Sequence, residues 1–294
     1  EIKAMYIMGE NPMGSSPDMK EVEHGLRNLE FLAVQDLFLS ETAALADVVF
    51  PAASFAEKDG TFTNTERRVQ RVRKAVEPPG EARADWQIIC DVSTAMGYPM
   101  RYPGAAEIME EIASLVPSYA GIRHQRLGGS GLQWPCLDTE HPGTRFLYED
   151  NFPTPSGRGL FHVVNQDDAG EDVADDRYPL NLNSGRLLEH YHTGTMSRRS
   201  RGLNHLRPEG EIEVHPKDAR RYGLEDGCMG RIVTKRGSIE VKIFVTNRTP
   251  EGAIFYPFHF AEAPANRLIS GTFDKASQTP AYKRTAARVE SIEA

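Results

Sequence analysis

The hydrophobic period of this sequence changes once, at Tyr178, and no single-layer fold accommodates both patterns. Before that point, the apolar runs "KAMYIM" (3–8), "FLAVQD" (31–36) and "DVVFPAAS" (47–54) alternate with helical spacing, as in Met19, Val22, Leu26 and Leu29. Thr42 to Ala46 add a further short helix. Strand, helix, strand, helix, strand predicts a parallel sheet with crossover helices, whose ligands sit beyond the carboxyl ends of the strands. Those ends are "GENP" (9–12), Gln35-Asp36 and Pro51-Ala52-Ala53, which makes Gly9, Asn11 and Asp36 binding candidates by position. The first run carries no G-x-G-x-x-G, so the usual dinucleotide fingerprint is absent.

Two helices are predicted further on. One covers 85–97 with Trp86, Ile89, Val92 and Met96 in phase and Gly97 as a stop. The other covers 105–116 with Ile108, Ile112 and Leu115 on one face and Pro117 at its end. Residues 121–176 are rich in Gly, Pro, Asp and Thr, end in "NQDDAGEDVADD", and read as a covering segment and linker. Past Tyr178, "YPLNLNSG", "EIEVHP", "GRIVTKRGSIEVKIFVT" and "GAIFYPFHF" are short strands, with a hairpin at Arg236-Gly237 and one helix, "HPKDARRYGLEDG", closed by Gly223. Many short strands with few helices predict a small, closed or nearly closed β-barrel.

Charge follows the same division. Residues 1–176 hold 15 Lys and Arg against 29 Asp and Glu, a net of −14, whereas residues 177–294 hold 19 against 13, a net of +6. The second part therefore suits an anionic ligand. Its basic residues are scattered and sparsely interleaved with aromatics, which argues against nucleic acid. No apolar run approaches the roughly 18 residues of a transmembrane helix. Cys90, Cys136 and Cys228 lie far apart without C-x-x-C, so they build neither a disulfide framework nor a cysteine-only metal site. The chain opens inside an apolar run, which reads as a piece of a longer polypeptide. A cytoplasmic location is expected, with an upstream signal sequence left open.

The segment 183–207 concentrates phosphate chemistry. Arg186, Arg198, Arg199, Arg201 and Arg207 oppose one acid, Glu189. Thr193, Gly194, Thr195 and Ser197 let backbone N–H groups approach an anion closely, and guanidinium groups bind phosphate bidentately. The competing reading is a solvated basic loop. His190 and His192, two apart, read either as ligand contacts or as structural histidines; a zinc site would need two further ligands, and none is evident nearby.

Two stretches carry a family resemblance. "VQDLFLSETAALADVVFPAASFAEKDGT" followed by "FTNTERRVQRVRKAVEPPGEARADW" resembles the molybdopterin oxidoreductases, in which a strand ending Gln-Asp precedes "ET...ADVVLP" and "E..GT..N.E.R.Q", with Phe50 here where Leu is usual. "NSGRLLEHYHTGTMSRRS" resembles that family's dinucleotide-binding domain, and "GAIFYPFHFAEAPANRLI" with "TPAYKRTAARVE" continues the likeness to the end. Within the family, "MGENP", "GTFTNTERRVQR" and "PFHF.E..AN.L" look most like formate dehydrogenase catalytic subunits.

The resemblance implies an α/β fold: a partial Rossmann-like domain (1–120), the covering segment and linker (121–176) and a double-psi β-barrel (177–294). It implies two molybdopterin guanine dinucleotides holding molybdenum or tungsten, and formate as substrate. It implies a [4Fe–4S] cluster in the amino-terminal part of the same subunit, together with electron-transfer subunits as partners. Asp36 and Asp85 would serve the guanosine end, since a carboxylate accepts from guanine N1–H and the N2 amino group; the alternative makes each a helix N-cap. Asn266, Tyr282 and Lys283 would face the cofactor. No catalytic or metal-ligating residue is assigned to this sequence, and the chain alone is expected to be inactive toward formate. Nitrate reductase, a cofactor-free relative like the large subunit of complex I, and an independent nucleotide-binding or chaperone-like module remain the alternatives.

Overall fold

The computed structural model describes residues 2–163, 172–274 and 277–292. It opens with β1 (Ala4–Met8), α1 (Pro12–Ser15), α2 (Met19–Arg27), β2 (Phe31–Asp36) and β3 (Val48–Pro51), forming a three-stranded sheet in the order β1-β2-β3. β1 and β2 run parallel in register from Ala4 opposite Phe31 to Met8 opposite Gln35. Ile7, Leu26, Leu32, Val34 and Ala43 form its core, with Met19, Val22 and Leu29 packed at the edge, the helical face expected from the sequence. The short helix expected at 42–46 is a 3₁₀ turn, Ala43–Leu45. Asn11 accounts for its shape: its side-chain carbonyl accepts from Thr42 N–H (3.2 Å) and Thr42 Oγ1 (2.7 Å), holding the turn against the loop after β1.

Residues 50–164 form a separate compact unit. β4 (Gly60–Thr63) and β5 (Arg68–Val72) make an antiparallel hairpin, followed by α3 (Asp85–Ala95), α4 (Ala105–Leu115) and β6 (Leu132–Gln133), which pairs with β5. Both helices exist where the sequence places them, but each packs a different face. α3 buries Ile88 and Cys90 while Met96 is 82% exposed, and α4 buries Met109 and Ala113 while Leu115 is 72% exposed. Both helices carry apolar residues on more than one side, so the partner decides the face. For α4 that partner is the cluster of Val69, Ile122, Leu127 and Cys136. The start of the expected linker is likewise core, since Ile122, Leu127 and Cys136 are buried; residues 164–171 of that linker lie outside the described residues.

The remainder is a closed six-stranded barrel. β7 (Leu180–Gly185), α5 (Arg201–Leu206), β8 (Glu211–Val214), α6 (Pro216–Tyr222), β9 (Met229–Thr234), β10 (Ser238–Val245), β11 (Ala253–Pro257) and β12 (Thr285–Ser291) close in the order β10-β8-β11-β7-β12-β9. β10 runs parallel to β8 and β11 parallel to β7; the other pairings are antiparallel. Alternate residues point inward, so Leu180, Leu182, Ile212, Val214, Ile232, Val241, Ile243, Ile254 and Tyr256 fill the interior. α6 ends where Gly223 takes a left-handed φ of 65°, the conformation a helix stop requires.

The compact units differ from the expected segments: residues 1–49 group with 165–294, with the division falling inside β3. The reason is local bonding between the loop after β1 and the barrel. Asp18 N–H donates to Ile269 O (3.2 Å), Asn266 Nδ2 to Gly14 O (2.9 Å) and Tyr282 OH to Ser15 O (3.0 Å). Among the described residues no helix is long and apolar enough to cross a membrane.

Candidate functional site

Two neighbouring cavities open where that docking occurs, and His192 lines both. The first, about 310 Å³, is walled by Ser15, Ser184, Gly185, Arg186, His192, Phe258, Asn266, Tyr282 and Lys283: two cations and no carboxylate. The Arg186 guanidinium lies 5.4 Å from the centre of the Phe258 ring, and Lys283 Nζ donates to the Ser184 carbonyl. Asn266 is buried; its amide nitrogen is spent on Gly14 O, while its Oδ1 has no partner among the described residues. A buried acceptor without a donor is costly, so it marks a place for a ligand N–H or O–H. Burial pushes the Tyr282 hydroxyl above its ordinary range, with a smaller push from Glu10, so it stays a protonated donor.

The second cavity, about 180 Å³, is acidic. Glu10 and Asp36 line it beside Gly9, Asn11, Leu37, Tyr191, Thr193, Thr195 and Met196. Asp36 stands at the carboxyl end of β2, where Oδ1 accepts from Leu37 N–H at 2.6 Å and Oδ2 from Ser40 Oγ at 3.4 Å. Each carboxylate oxygen has further acceptor capacity. Asn11 contributes less than its position suggests, because Nδ2 donates to Glu41 Oε2 (2.6 Å) and Oδ1 is held by Thr42. Gly9 takes a φ of +61° and donates its N–H to Gln35 O (2.8 Å), turning the chain into the cavity.

Other expected residues sit elsewhere. His190 is buried and lines neither cavity: Nε2 meets Arg207 O at 2.7 Å and Nδ1 meets Ser197 Oγ at 3.3 Å, which is the structural alternative. Gly194 holds the loop in a left-handed turn (φ +78°) rather than facing a cavity. Asp85 belongs to the 50–164 unit, where it forms an ion pair with Lys58 in the first turn of α3. The arginine cluster disperses as well. Arg198 grips Glu262 through both terminal nitrogens (2.6 and 2.9 Å), Arg199 lies over Phe38 at 4.4 Å, and Arg207 pairs with Glu189 and Glu211. Of the five, Arg186 alone lines the cationic cavity. Spacing counts charges, but not the partners that occupy them: Glu262 for Arg198 and Phe38 for Arg199 come from distant loops, and Glu189 and Glu211 for Arg207 from nearby in the chain.

Sequence reasoning missed Glu10, Ser15, Ser184, Phe258 and His259. His259 is fully buried, and burial, with smaller pushes from the nearby His190, Arg186 and His192 side chains, lowers its pKa from the ordinary histidine value against the opposing hydrogen bond to the His192 backbone. The signal available was a single histidine between two phenylalanines after an apolar strand. Among the described residues no group of three His, Cys, Asp or Glu is arranged to hold a metal ion.

Comparison with known proteins bears on this arrangement. A family model described as "Molybdopterin oxidoreductase" matches residues 1–95, and one described as "Molydopterin dinucleotide binding domain" matches 180–286. The chain is 46% identical to F420-dependent formate dehydrogenase 1 subunit alpha of Methanococcus maripaludis, over 99% of its own length and 44% of that protein's. It is 38% identical to the assimilatory nitrate reductase catalytic subunit of Bacillus subtilis (99% and 42%) and 36% identical to formate dehydrogenase H of Escherichia coli (99% and 41%). It thus spans less than half the length of these relatives. Among solved structures, acetylene hydratase from Pelobacter acetylenicus matches with a TM-score of 0.77 at 19% identity, covering 99% of this chain and 44% of that one, a likeness of fold.

Proposed function

This chain belongs to the molybdopterin oxidoreductase family, and from that premise we propose that it supplies the dinucleotide grip of a formate dehydrogenase. The observation that carries the reading is the pair of adjoining cavities of opposite charge sharing His192. A pterin guanine dinucleotide has the complementary sequence of charges: an anionic pyrophosphate, then a base whose edge offers two adjacent N–H donors. Arg186 and Lys283 would hold the pyrophosphate, with the Tyr282 hydroxyl, its proton given to Ser15 O, forming part of the same wall and Thr193 and Thr195 lining the neighbouring acidic cavity. Asp36 would accept from the guanine edge, and Asn266 Oδ1 would accept from the pterin end. The orphaned Asn266 oxygen argues that the group fits and weighs against a cofactor-free relative.

When bound, the pterin dithiolenes and their molybdenum or tungsten supply the two-electron chemistry that takes formate to carbon dioxide. The share of this chain is binding and orientation. The resemblance puts the metal ligand and the [4Fe–4S] cluster in the amino-terminal part of the same subunit, which would clamp the two dinucleotides together with this chain, and adds electron-transfer subunits as partners, so the chain alone is expected to be inactive toward formate. Formate rather than nitrate is favoured because formate dehydrogenase alpha subunits reach 46–47% identity against 38% for the nitrate reductase. The barrel, with its two parallel pairs among antiparallel ones, supports a double-psi assignment, and the parallel β1–β2 pair in the β1-β2-β3 sheet a partial Rossmann-like one. Three free thiols suit a reducing compartment, the basis for a cytoplasmic placement.

Titration calorimetry of the intact chain with guanosine diphosphate tests the reading. Binding is expected, weakened about a hundredfold by combining Arg186→Met with Lys283→Met, at about 1.4 kcal/mol per charge contact. No binding by the unaltered chain would sink it.

A further inference from the structure

His259 is fully buried, lines neither cavity, and has both ring nitrogens committed to main chain. Nε2 lies 2.8 Å from Leu187 N, and Nδ1 lies against the His192 carbonyl oxygen. These partners fix its chemistry. A peptide N–H only donates, so Nε2 must be a bare acceptor; a carbonyl only accepts, so Nδ1 must carry the proton. The ring therefore joins two segments that are otherwise separate walls: the turn Gly185-Arg186-Leu187 after β7, and the loop from His192 to Thr195.

We infer that His259 is a positioning residue for nucleotide binding, its neutral Nδ1–H ring clamping the Arg186 turn to the 192–195 loop so that cationic and acidic cavities keep one shared wall. This rests on the nucleotide reading above. Two further observations support it. His192 itself has a left-handed φ of 49°, a conformation a non-glycine residue keeps only when its surroundings hold it there, and its carbonyl is the one His259 binds. Gly194 packs so closely that a Cβ there would lie 2.5 Å from the His259 carbonyl oxygen. The clamp is gripped from both sides.

Protonation would oppose the clamp, since a second ring N–H would point at the Leu187 N–H. Burial disfavours protonation most; the His192 carbonyl accepting from Nδ1 favours it, but His190 and His192 from the loop and Arg186 from the β7 turn oppose it, with Phe258 and Phe260 beside the ring, and the net shift is downward. Arg198, whose stem packs at Gly194, adds positive charge beyond. Because the folded pKa lies below the unfolded one, the stabilisation is complete above the ordinary histidine value of 6.5 and is lost as pH falls from there through the folded value.

The test uses the intact chain, guanosine diphosphate as probe, and pH from about 5 to 8, the histidine range. Nitrogen NMR of the ring should report the neutral Nδ1–H form at neutral pH, with the Leu187 amide slow to exchange. His259→Phe, which fills the space but leaves both peptide groups unpaired, should bind about tenfold more weakly and expose Leu187 to exchange. His259→Gln keeps one donor and one acceptor on an unionisable group; it should recover most of the affinity and lose the acid limb of the profile. If the unaltered chain binds the probe but His259→Phe binds within about twofold of it with Leu187 still protected, the clamp is wrong and nucleotide binding stands. If the unaltered chain binds nothing, the nucleotide reading falls, and the tautomer and the Leu187 exchange rate decide whether the clamp exists. Should His259→Phe not fold, His259→Gln and the ring spectrum of the unaltered chain carry the decision.

Discussion

Replacing Gly194 with alanine is the sharpest single probe of the loop that separates the two cavities. Gly194 has φ +78°, and a Cβ built on it would meet the His259 carbonyl oxygen at 2.5 Å and the Arg198 side chain at 2.9 and 3.0 Å. A left-handed alanine costs about 1–2 kcal/mol, and forcing a methyl against a fixed carbonyl adds about 1–3 kcal/mol of overpacking. Reduced freedom of the unfolded chain returns about 0.4–1 kcal/mol. The net expectation is a loss of about 3 kcal/mol. Gly223→Ala is the matched control, because Gly223 has φ +65° but open space around its Cβ position, so about 1 kcal/mol is expected there. The difference, about 2 kcal/mol, reports the close packing at Gly194, in which the His259 carbonyl is the fixed neighbour and the Arg198 side chain the one able to move, and corresponds to roughly thirtyfold faster exchange of core amides in β7 and β11. Hydrogen exchange is the suitable readout, since both tryptophans, Trp86 and Trp134, lie in the other unit and their fluorescence does not report on this one. Equal losses at Gly194 and Gly223 would refute the claim that the loop is locked onto the His259 backbone.

Two other outcomes follow from named contacts. Asp36→Asn removes the carboxylate at the end of β2 and puts a donor where guanine also donates; binding of guanosine diphosphate should fall about tenfold while adenosine diphosphate changes little, compared by competitive titration. Tyr256→Phe strands the Ala263 carbonyl, which now accepts from the buried Tyr256 hydroxyl at 2.9 Å, and should cost the barrel about 1–2 kcal/mol in urea unfolding without altering nucleotide affinity.

Local pattern in the sequence determined which elements form. The runs at 3–8, 31–36 and 47–54 became β1, β2 and β3; the alternation after Tyr178 became barrel strands; Arg236-Gly237 became the β9–β10 hairpin and Gly223 the stop of α6. These succeed because side-chain period and turn chemistry are properties of neighbours in the chain. Tertiary structure alone decided what those elements do to one another. β12, whose residues Thr285–Ser291 carry little strand signal beyond one valine, closes the barrel because β7 and β9 each present an edge to it. The buried faces of α3 and α4 were chosen by packing partners, and four of the five arginines in 183–207 lie outside the cationic cavity, Arg198 and Arg207 being neutralised by acids. His259 shows the same limit most clearly: its importance lies in two peptide groups, at Leu187 and His192, that come within reach of one ring only after the barrel has closed.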